Sequence, residues 1–80
     1  MDPTTQHNLL SVLEEYTFIP RKDIPLDALV ISLGLDSLDL VQLTQEVDDH
    51  FLIDLPADAI THTTTVAQLG AAIEQAQSLL

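Results

Sequence analysis

Apolar residues recur at helical spacing in three stretches of the chain, and no stretch alternates apolar and polar residues as a strand does. The first stretch opens with Asp2-Pro3, a capping carboxylate followed by a proline that a first helical turn accepts. We expect this helix to end near Phe18-Ile19-Pro20, because proline disfavours the helical conformation in the residue before it. Its apolar face is formed by Leu9, Leu10, Val12, Leu13 and Tyr16.

A second helix is predicted from about Ser37 to Phe51, after a long connection between Pro20 and Gly34. Several apolar residues in that connection can hold it against the core, so we expect an ordered, packed loop with a short turn of helix around Leu26 to Val30. The apolar positions predicted on the second helix are Leu38, Val41, Leu43, Val47 and Phe51.

The last third of the chain predicts one very short helix and one longer helix. Pro56 can start a short third helix that reaches about Ile60, and the threonine-rich run that follows is predicted to be a loop. Thr65 and Gln68 have capping-box spacing at the start of the fourth helix. The apolar stripe of that helix is Val66, Leu69, Ile73, Ala76 and Leu80. The pattern predicts an all-α bundle of three main helices and one short helix, with residues 1–80 in a single domain.

Composition narrows the possible partners. Thirteen acidic residues against two basic ones, Arg21 and Lys22, give a formal net charge of -11. Direct binding to nucleic acid or anionic lipid is excluded on these grounds, because phosphate contacts need basic side chains. We expect basic protein partners, although acidity that only maintains solubility remains an alternative. No signal-peptide pattern is present, so we expect a cytoplasmic protein. Met1 and the compact ends favour a free-standing protein over a domain cut from a larger synthase.

The run Gly34-Leu35-Asp36-Ser37-Leu38-Asp39 places a single hydroxyl at the start of the second helix. Asp36 can accept hydrogen bonds from the first free N–H groups of that helix. Ser37 then lies in the first turn, near the positive end of the helix dipole, where a phosphate group is tolerated. Gly34 allows a sharp turn and leaves space beside the serine.

At this motif the sequence resembles the acyl carrier proteins, in which the serine of an Asp-Ser-Leu motif carries a 4′-phosphopantetheine arm. The resemblance covers essentially the whole chain and is strongest from Leu33 to Leu69. It includes the long first loop, the Leu55-Pro56 step and the Thr65-Val66 helix start, all in the family's order and spacing. A bare Asp-Ser-Leu tripeptide occurs by chance in many proteins. The resemblance to the acyl carrier proteins therefore rests on the agreement in the order and spacing of the other elements.

The resemblance implies that a phosphopantetheinyl transferase uses magnesium to move the phosphopantetheine group from coenzyme A onto Ser37. The arm's thiol then holds acyl intermediates as thioesters for fatty-acid, polyketide or related biosynthesis, and the chain itself, a monomer, catalyses nothing. No cysteine is present, so the polypeptide offers no thiol of its own. The implied partners are the transferase, acyl ligases or transferases, and synthases with basic docking surfaces. The partner contacts carried over by position are Asp36, Leu38, Asp39, Val41, Glu46, Asp48 and Asp49.

Three departures from the family pattern bear on the acyl group. Gln42 stands where many carriers have glutamate, and Thr44, Gln45 and Thr63 stand where fatty-acid carriers usually have apolar residues. Because a buried polar group without a partner is costly, we expect these side chains to point to water or to narrow the space for a long chain. The departures favour a short, polar or specialised acyl group. An aminoacyl or peptidyl carrier remains an alternative.

Catalysis and metal binding are disfavoured by the sequence. A nucleophile elbow needs a second glycine, which is missing after Ser37, and the neighbouring carboxylates make an alkoxide more costly. The potential bases His7, His50 and His62 are scattered, and we expect each to be a surface histidine. A cluster of Asp48, Asp49, His50 and Asp54 lacks the order and the glycine of a calcium loop. An unmodified acidic helical adaptor remains the alternative to a carrier.

Overall fold

The computed structural model describes residues 1–79, and within them three α-helices pack around one apolar core. The helices are α1 (Pro3–Thr17), α2 (Ser37–Phe51) and α3 (Val66–Ser78). Two short 3₁₀ helices, Arg21–Asp23 and Val30–Leu33, lie in the connection between α1 and α2. No strand occurs in this range, so the predicted all-α class is confirmed, while the predicted stripe residue Leu80 lies outside the described residues.

The helix ends follow the signals in the sequence. Asp2 accepts a hydrogen bond from the Thr4 N–H at 2.8 Å, and Pro3 occupies the first position of α1. At the other end Phe18 adopts the left-handed conformation, with φ 63°, before Pro20. In α3 the Thr65–Gln68 capping box forms as predicted. These boundaries are local properties, which is why the sequence predicts them well.

The buried face of α2 differs from the predicted face. Leu40 is 4% exposed, whereas Leu38 is 65% and Val41 46% exposed. Leu40, Leu43 and Val47 follow one another at spacings of three and four, so they share a face, while Leu38 and Val41 lie outside it. The completely buried side chains, to which all three helices contribute, are Leu9, Leu13, Val30, Leu43, Val47, Val66, Leu69 and Ile73.

The predicted short third helix is a turn in the structure. Between Pro56 and Ile60 one backbone bond forms, from the Ala59 N–H to the Pro56 carbonyl at 3.0 Å. Helix nucleation is unfavourable, and so short a segment does not recover its cost through further hydrogen bonds. Buried Leu55 and Ile60 instead hold the turn against the core. The helical turn expected at Leu26 to Val30 likewise appears slightly later, as the 3₁₀ helix Val30–Leu33.

The long connections before α2 and α3 are joined to each other by backbone hydrogen bonds. The Val30 N–H donates to the Thr64 carbonyl at 2.9 Å, and the Val66 N–H donates to the Ala28 carbonyl at 3.0 Å. These bonds flank an isolated antiparallel bridge between Leu29 and Thr65. The pairing holds the loop before α3 in a defined place. Among the described residues, none of the helices has the length and apolar character needed to cross a membrane.

Candidate functional site

The turn into α2 depends on a glycine for its backbone conformation. Gly34 ends the Val30–Leu33 helix with φ 90°, a left-handed conformation that side chains disfavour. Apart from Gly34 and its two chain neighbours, no heavy atom lies within 4 Å of the position that a Cβ would occupy there. The glycine is therefore needed for the bend itself, and the space beside it is open.

Two carboxylates close the first turn of α2. An Asp36 carboxylate oxygen accepts from the Asp39 N–H at 2.9 Å, and an Asp39 carboxylate oxygen accepts from the Asp36 N–H at 3.0 Å. This reciprocal capping box confirms that Asp36 caps the helix and gives Asp39 the same structural task. Ser37, the first residue of α2, is exposed beside this box. The hydroxyl is thus presented on a rigid helix end.

The structure brings His62 to Ser37, although the two residues are far apart in sequence. The serine Oγ and the imidazole Nε2 are 3.0 Å apart, a hydrogen-bond distance. His62 is exposed, as the sequence predicted, but its ring contacts another side chain. No sequence motif links these positions. The contact depends on the loop pairing that places the segment before α3 next to the start of α2.

A shallow cleft of about 370 Å³ opens beside the serine. Its lining residues are Ser37, Leu40, Val41, Ile60, Thr61, His62 and Thr63. Buried Leu40 and Ile60 form its apolar floor, while the hydroxyls and the imidazole form a polar rim. The cleft can therefore receive a group with a polar attachment point and a less polar remainder.

The predicted acidic contact residues have different structural situations. Glu46 and Asp49 are exposed on α2, as are the apolar Leu38 and Val41. Asp48 is half-buried, and its carboxylate accepts a hydrogen bond from the Leu55 N–H at 3.0 Å. Asp48 therefore ties the segment after α2 back onto the helix. Of the predicted acids, Glu46 and Asp49 have no such bond among the described residues.

The polar substitutions on α2 are accommodated in different ways. Thr44 is 4% exposed, so of the two arrangements expected for it, it does not take the one that points to water. Its hydroxyl donates to the Leu40 carbonyl one turn earlier at 2.9 Å, which satisfies the buried group within the helix. Gln45 and Thr63 are exposed as expected. A buried threonine in this helix therefore costs little, because it has its own partner.

Tyr16 links α1 to the start of α2. Its hydroxyl lies 3.2 Å from both the Asp39 carbonyl and the Gln42 side-chain oxygen. Burial raises the pKa of the Tyr16 hydroxyl, and the carboxylates of Asp39, Glu46 and Asp36 raise this pKa further because they disfavour a neighbouring phenolate. The start of α2 is thus connected to α1 by a neutral, hydrogen-bonding side chain.

We expect this raised pKa to make stability fall at alkaline pH. Above pH of about 10 the unfolded chain loses the Tyr16 proton while the folded chain retains it, so the free energy of unfolding falls as pH rises. Urea unfolding of the wild type and of Tyr16→Phe through this range checks the prediction, since the variant should lack that part of the fall. Tyr16 is the chain's only tyrosine, so tyrosinate absorbance follows it directly. An ordinary or lowered pKa in the folded protein would contradict the prediction.

The remaining histidines lie elsewhere. His7 Nδ1 is 3.0 Å from an Arg21 guanidinium nitrogen, and the His50 ring packs edge-on against Phe51 with centroids 5.1 Å apart. Across residues 1–79 no group of three or more His, Cys, Asp or Glu side chains is arranged to hold a metal ion. The serine, the imidazole and the cleft together form the candidate site.

Comparison with known proteins identifies the family. Residues 7–73 match the family model described as "Phosphopantetheine attachment site". The chain is 37% identical over 68 residues to the non-reducing polyketide synthase stbA of Stachybotrys bisbyi, and 33% identical over 79 residues to the non-reducing polyketide synthase AC of Didymella fabae. It is also 34% identical over 64 residues to a Schizosaccharomyces pombe protein described as a candidate mitochondrial acyl carrier protein.

These matches differ in how much of each protein they cover. They include 85%, 99% and 74% of this chain, but 3% of each of these two synthases and 57% of the yeast protein. No solved structure matches the chain. The family model spans most of the described residues and includes the whole of α2, as the motif and the helix order predicted. The chain belongs to the phosphopantetheine attachment family and contains a phosphopantetheine-carrying domain of the acyl carrier type.

Proposed function

We propose that Ser37 is the residue to which phosphopantetheine is attached. The observation that carries this proposal is the exposed Ser37 hydroxyl on the first residue of a capped helix, at the edge of a cleft. The residues present fit the group. A phosphodiester at this position lies near the positive end of the helix dipole, and open space adjoins the turn at Gly34.

The attachment step needs only the Ser37 hydroxyl from this chain. Its Oγ forms a bond to the phosphorus that bears the pantetheine of coenzyme A, the phosphoanhydride bond breaks, and adenosine 3′,5′-bisphosphate leaves. The hydroxyl proton passes to a base of the transferase or to solvent. When attached, the group supplies a thiol, which no cysteine of this chain can provide. The carboxylates of Asp36 and Asp39 are engaged in the capping box, which supports a carrier and not a catalyst.

Intact-mass measurement tests the attachment residue. The protein is incubated with coenzyme A, magnesium and a broad-specificity phosphopantetheinyl transferase, and the product is digested and mapped. We expect the mass of one phosphopantetheine, on the peptide that contains Ser37. A modification mapped to another residue would refute Ser37 as the site. No gain from a folded sample would instead favour the unmodified adaptor.

We infer that partner enzymes dock on the exposed face of α2. Leu38 and Val41 supply exposed apolar area close to Ser37, and Glu46 and Asp49 supply negative charge further along the same helix. A chain with net charge -11 attracts basic partner surfaces. Since two of these matched relatives are polyketide synthases, we propose that these partners belong to polyketide assembly.

Asp49 is the best single test of this docking face. Reversing the charge of Asp48 as well would also disturb the fold, because Asp48 holds the Leu55 N–H, so of these two acids Asp49 separates docking from folding. With the phosphopantetheinylated protein and a malonyl transferase of a non-reducing polyketide synthase, Asp49→Lys should lower kcat/KM for malonyl loading about threefold to tenfold at low salt. The loss should shrink as salt rises, because salt screens exposed charges.

Asp27→Lys is the matched control, because it makes the same charge change on an exposed acid in the loop between α1 and α2. We expect its kcat/KM to stay near that of the wild type. Equal losses in both variants would show that net charge, and not a docking face, sets the rate. If the wild type accepts acyl groups from a fatty-acid synthase transferase but not from the polyketide enzyme, the polyketide assignment is wrong.

A further inference from the structure

We propose that His62 is part of the prosthetic-group site: it holds the Ser37 hydroxyl before modification and donates a hydrogen bond to the phosphodiester afterwards. The inference rests on the proposed attachment of phosphopantetheine at Ser37. Its starting observation is the 3.0 Å separation between Ser37 Oγ and His62 Nε2. A group added to that oxygen places its phosphorus one bond beyond it, and therefore close to the same imidazole.

The backbone that carries His62 is ordered, even though the imidazole itself is exposed. The Thr61 N–H donates to the Thr64 hydroxyl at 2.9 Å, and the Thr63 N–H donates to the Thr61 hydroxyl at 3.3 Å. The Thr64 carbonyl accepts from the Val30 N–H at 2.9 Å, which anchors the turn to the other long connection. Ile60, two residues before His62, is buried in the core and anchors this end of the turn. The turn thus presents the imidazole from a defined position.

Charge around Ser37 gives this imidazole a distinct role. Asp36 and Asp39 both lie within the same helical turn, so a phosphodiester adds a further negative charge beside two carboxylates. Arg21 is engaged elsewhere, 2.8 Å from the Ser11 hydroxyl and 3.5 Å from the Glu14 carboxylate. Among the described residues, His62 is the side chain with a nitrogen at hydrogen-bond distance from the Ser37 oxygen. It can therefore supply a side-chain hydrogen-bond donor to a turn whose own charged side chains are both carboxylates.

Hydrogen-bond chemistry makes the two states distinguishable. The contact between Ser37 Oγ and His62 Nε2 allows either direction, and in the proposed unmodified state the hydroxyl donates to an unprotonated Nε2, which holds Oγ in one of its staggered rotamers. A phosphodiester oxygen carries no proton and can only accept, so contact with it requires that Nε2 carry a hydrogen. Modification of Ser37 should therefore change His62 Nε2 from an acceptor to a donor. Such a change would not follow if His62 only supported the fold of its loop.

Nuclear magnetic resonance of the wild type tests this change directly. Long-range proton–nitrogen correlation spectra of the imidazole rings are recorded before and after phosphopantetheinylation, with ³¹P spectra of the modified protein. We expect the His62 Nε2 signal to move from an unprotonated to a protonated position. The ring signals of His50 should stay unchanged, since α2 places His50 roughly 20 Å from Ser37 along the helix axis.

Variants separate positioning from folding. His62→Ala should lower kcat/KM for phosphopantetheinylation about threefold to tenfold, through the lost rotamer and the lost hydrogen bond, and it should shift the ³¹P signal. His62→Gln should restore most of the rate, because its amide can both donate and accept. His50→Gln is the matched control and should leave both readouts unchanged. Circular dichroism confirms that each variant is folded.

The outcomes distinguish this inference from the proposed attachment site. If Ser37 is modified while the His62 ring signals stay the same and His62→Ala leaves the ³¹P signal in place, the role of His62 is refuted and Ser37 stands. If the modification maps to another residue, the attachment proposal itself fails. A moved Nε2 signal with rescue by glutamine supports the inference.

Discussion

Replacing Ser37 with alanine is expected to abolish the gain of one phosphopantetheine that the wild type shows with coenzyme A, magnesium and a phosphopantetheinyl transferase. The variant keeps the capping box, because Asp36 and Asp39 close the first turn through their own side chains and backbone. It loses an exposed hydroxyl and its contact with the equally exposed His62 ring, so the free energy of unfolding should change by less than about 0.5 kcal/mol. Intact mass and urea unfolding measure the two effects separately.

Ser32 provides the matched control. It is also an exposed serine, it lies in the 3₁₀ helix just before Gly34, and its hydroxyl donates to the Leu29 carbonyl at 2.6 Å. Ser32→Ala removes a hydroxyl close to the motif but away from the cleft lining. We expect full modification of this variant. A mass gain that persists in Ser37→Ala would show that another side chain is the acceptor.

Replacing Leu43 with alanine is expected to destabilise the protein by about 3 kcal/mol, through lost apolar burial and an unfilled cavity. Leu43 is 0% exposed and lies at the centre of the buried face of α2. A chain of this size has a total stability on the order of 4–12 kcal/mol, so the loss is a large part of it. Urea unfolding followed by circular dichroism gives the change in the free energy of unfolding.

Val41→Ala is the comparison on the same helix. Val41 is one of the apolar positions predicted on this helix, yet it is 46% exposed. We expect a loss below about 1 kcal/mol for this variant. Similar losses at the two positions would mean that α2 is rotated in solution, with Val41 on its buried face. That result would also remove Val41 from the docking surface.

The capping signals show why the helix boundaries were predictable. Asp2-Pro3, Asp36 with Asp39, and Thr65 with Gln68 each work through contacts within one helical turn. Such contacts depend on residue type and spacing alone, and both are visible in the sequence. The short helix predicted at Pro56 had no capping side chain of this kind in the sequence. Its conformation depends on how neighbouring side chains pack, and it became a turn.

The orientation of α2 required the neighbouring elements. Leu38, Leu40 and Val41 are all apolar, so periodicity alone did not decide which of them would be buried. Packing against α1 and the shared apolar core selected the face that contains Leu40. The same packing buried Thr44, which stays inexpensive because its hydroxyl bonds to the Leu40 carbonyl. Which residues are buried depends on how the helices pack together. The pattern of apolar residues only limits which faces of α2 can be buried.

By itself, the sequence determined the all-α class, the starts of the three α-helices, the ends of α1 and α2, the acidic charge and the serine at the start of α2, because these follow from local spacing and composition. Only the tertiary structure decided that Asp48 holds the Leu55 N–H and that His62 meets Ser37. Both contacts join residues that are separated along the chain. They exist because buried side chains and paired backbone groups fix the positions of the connecting loops relative to the helices. No local sequence pattern specifies those positions.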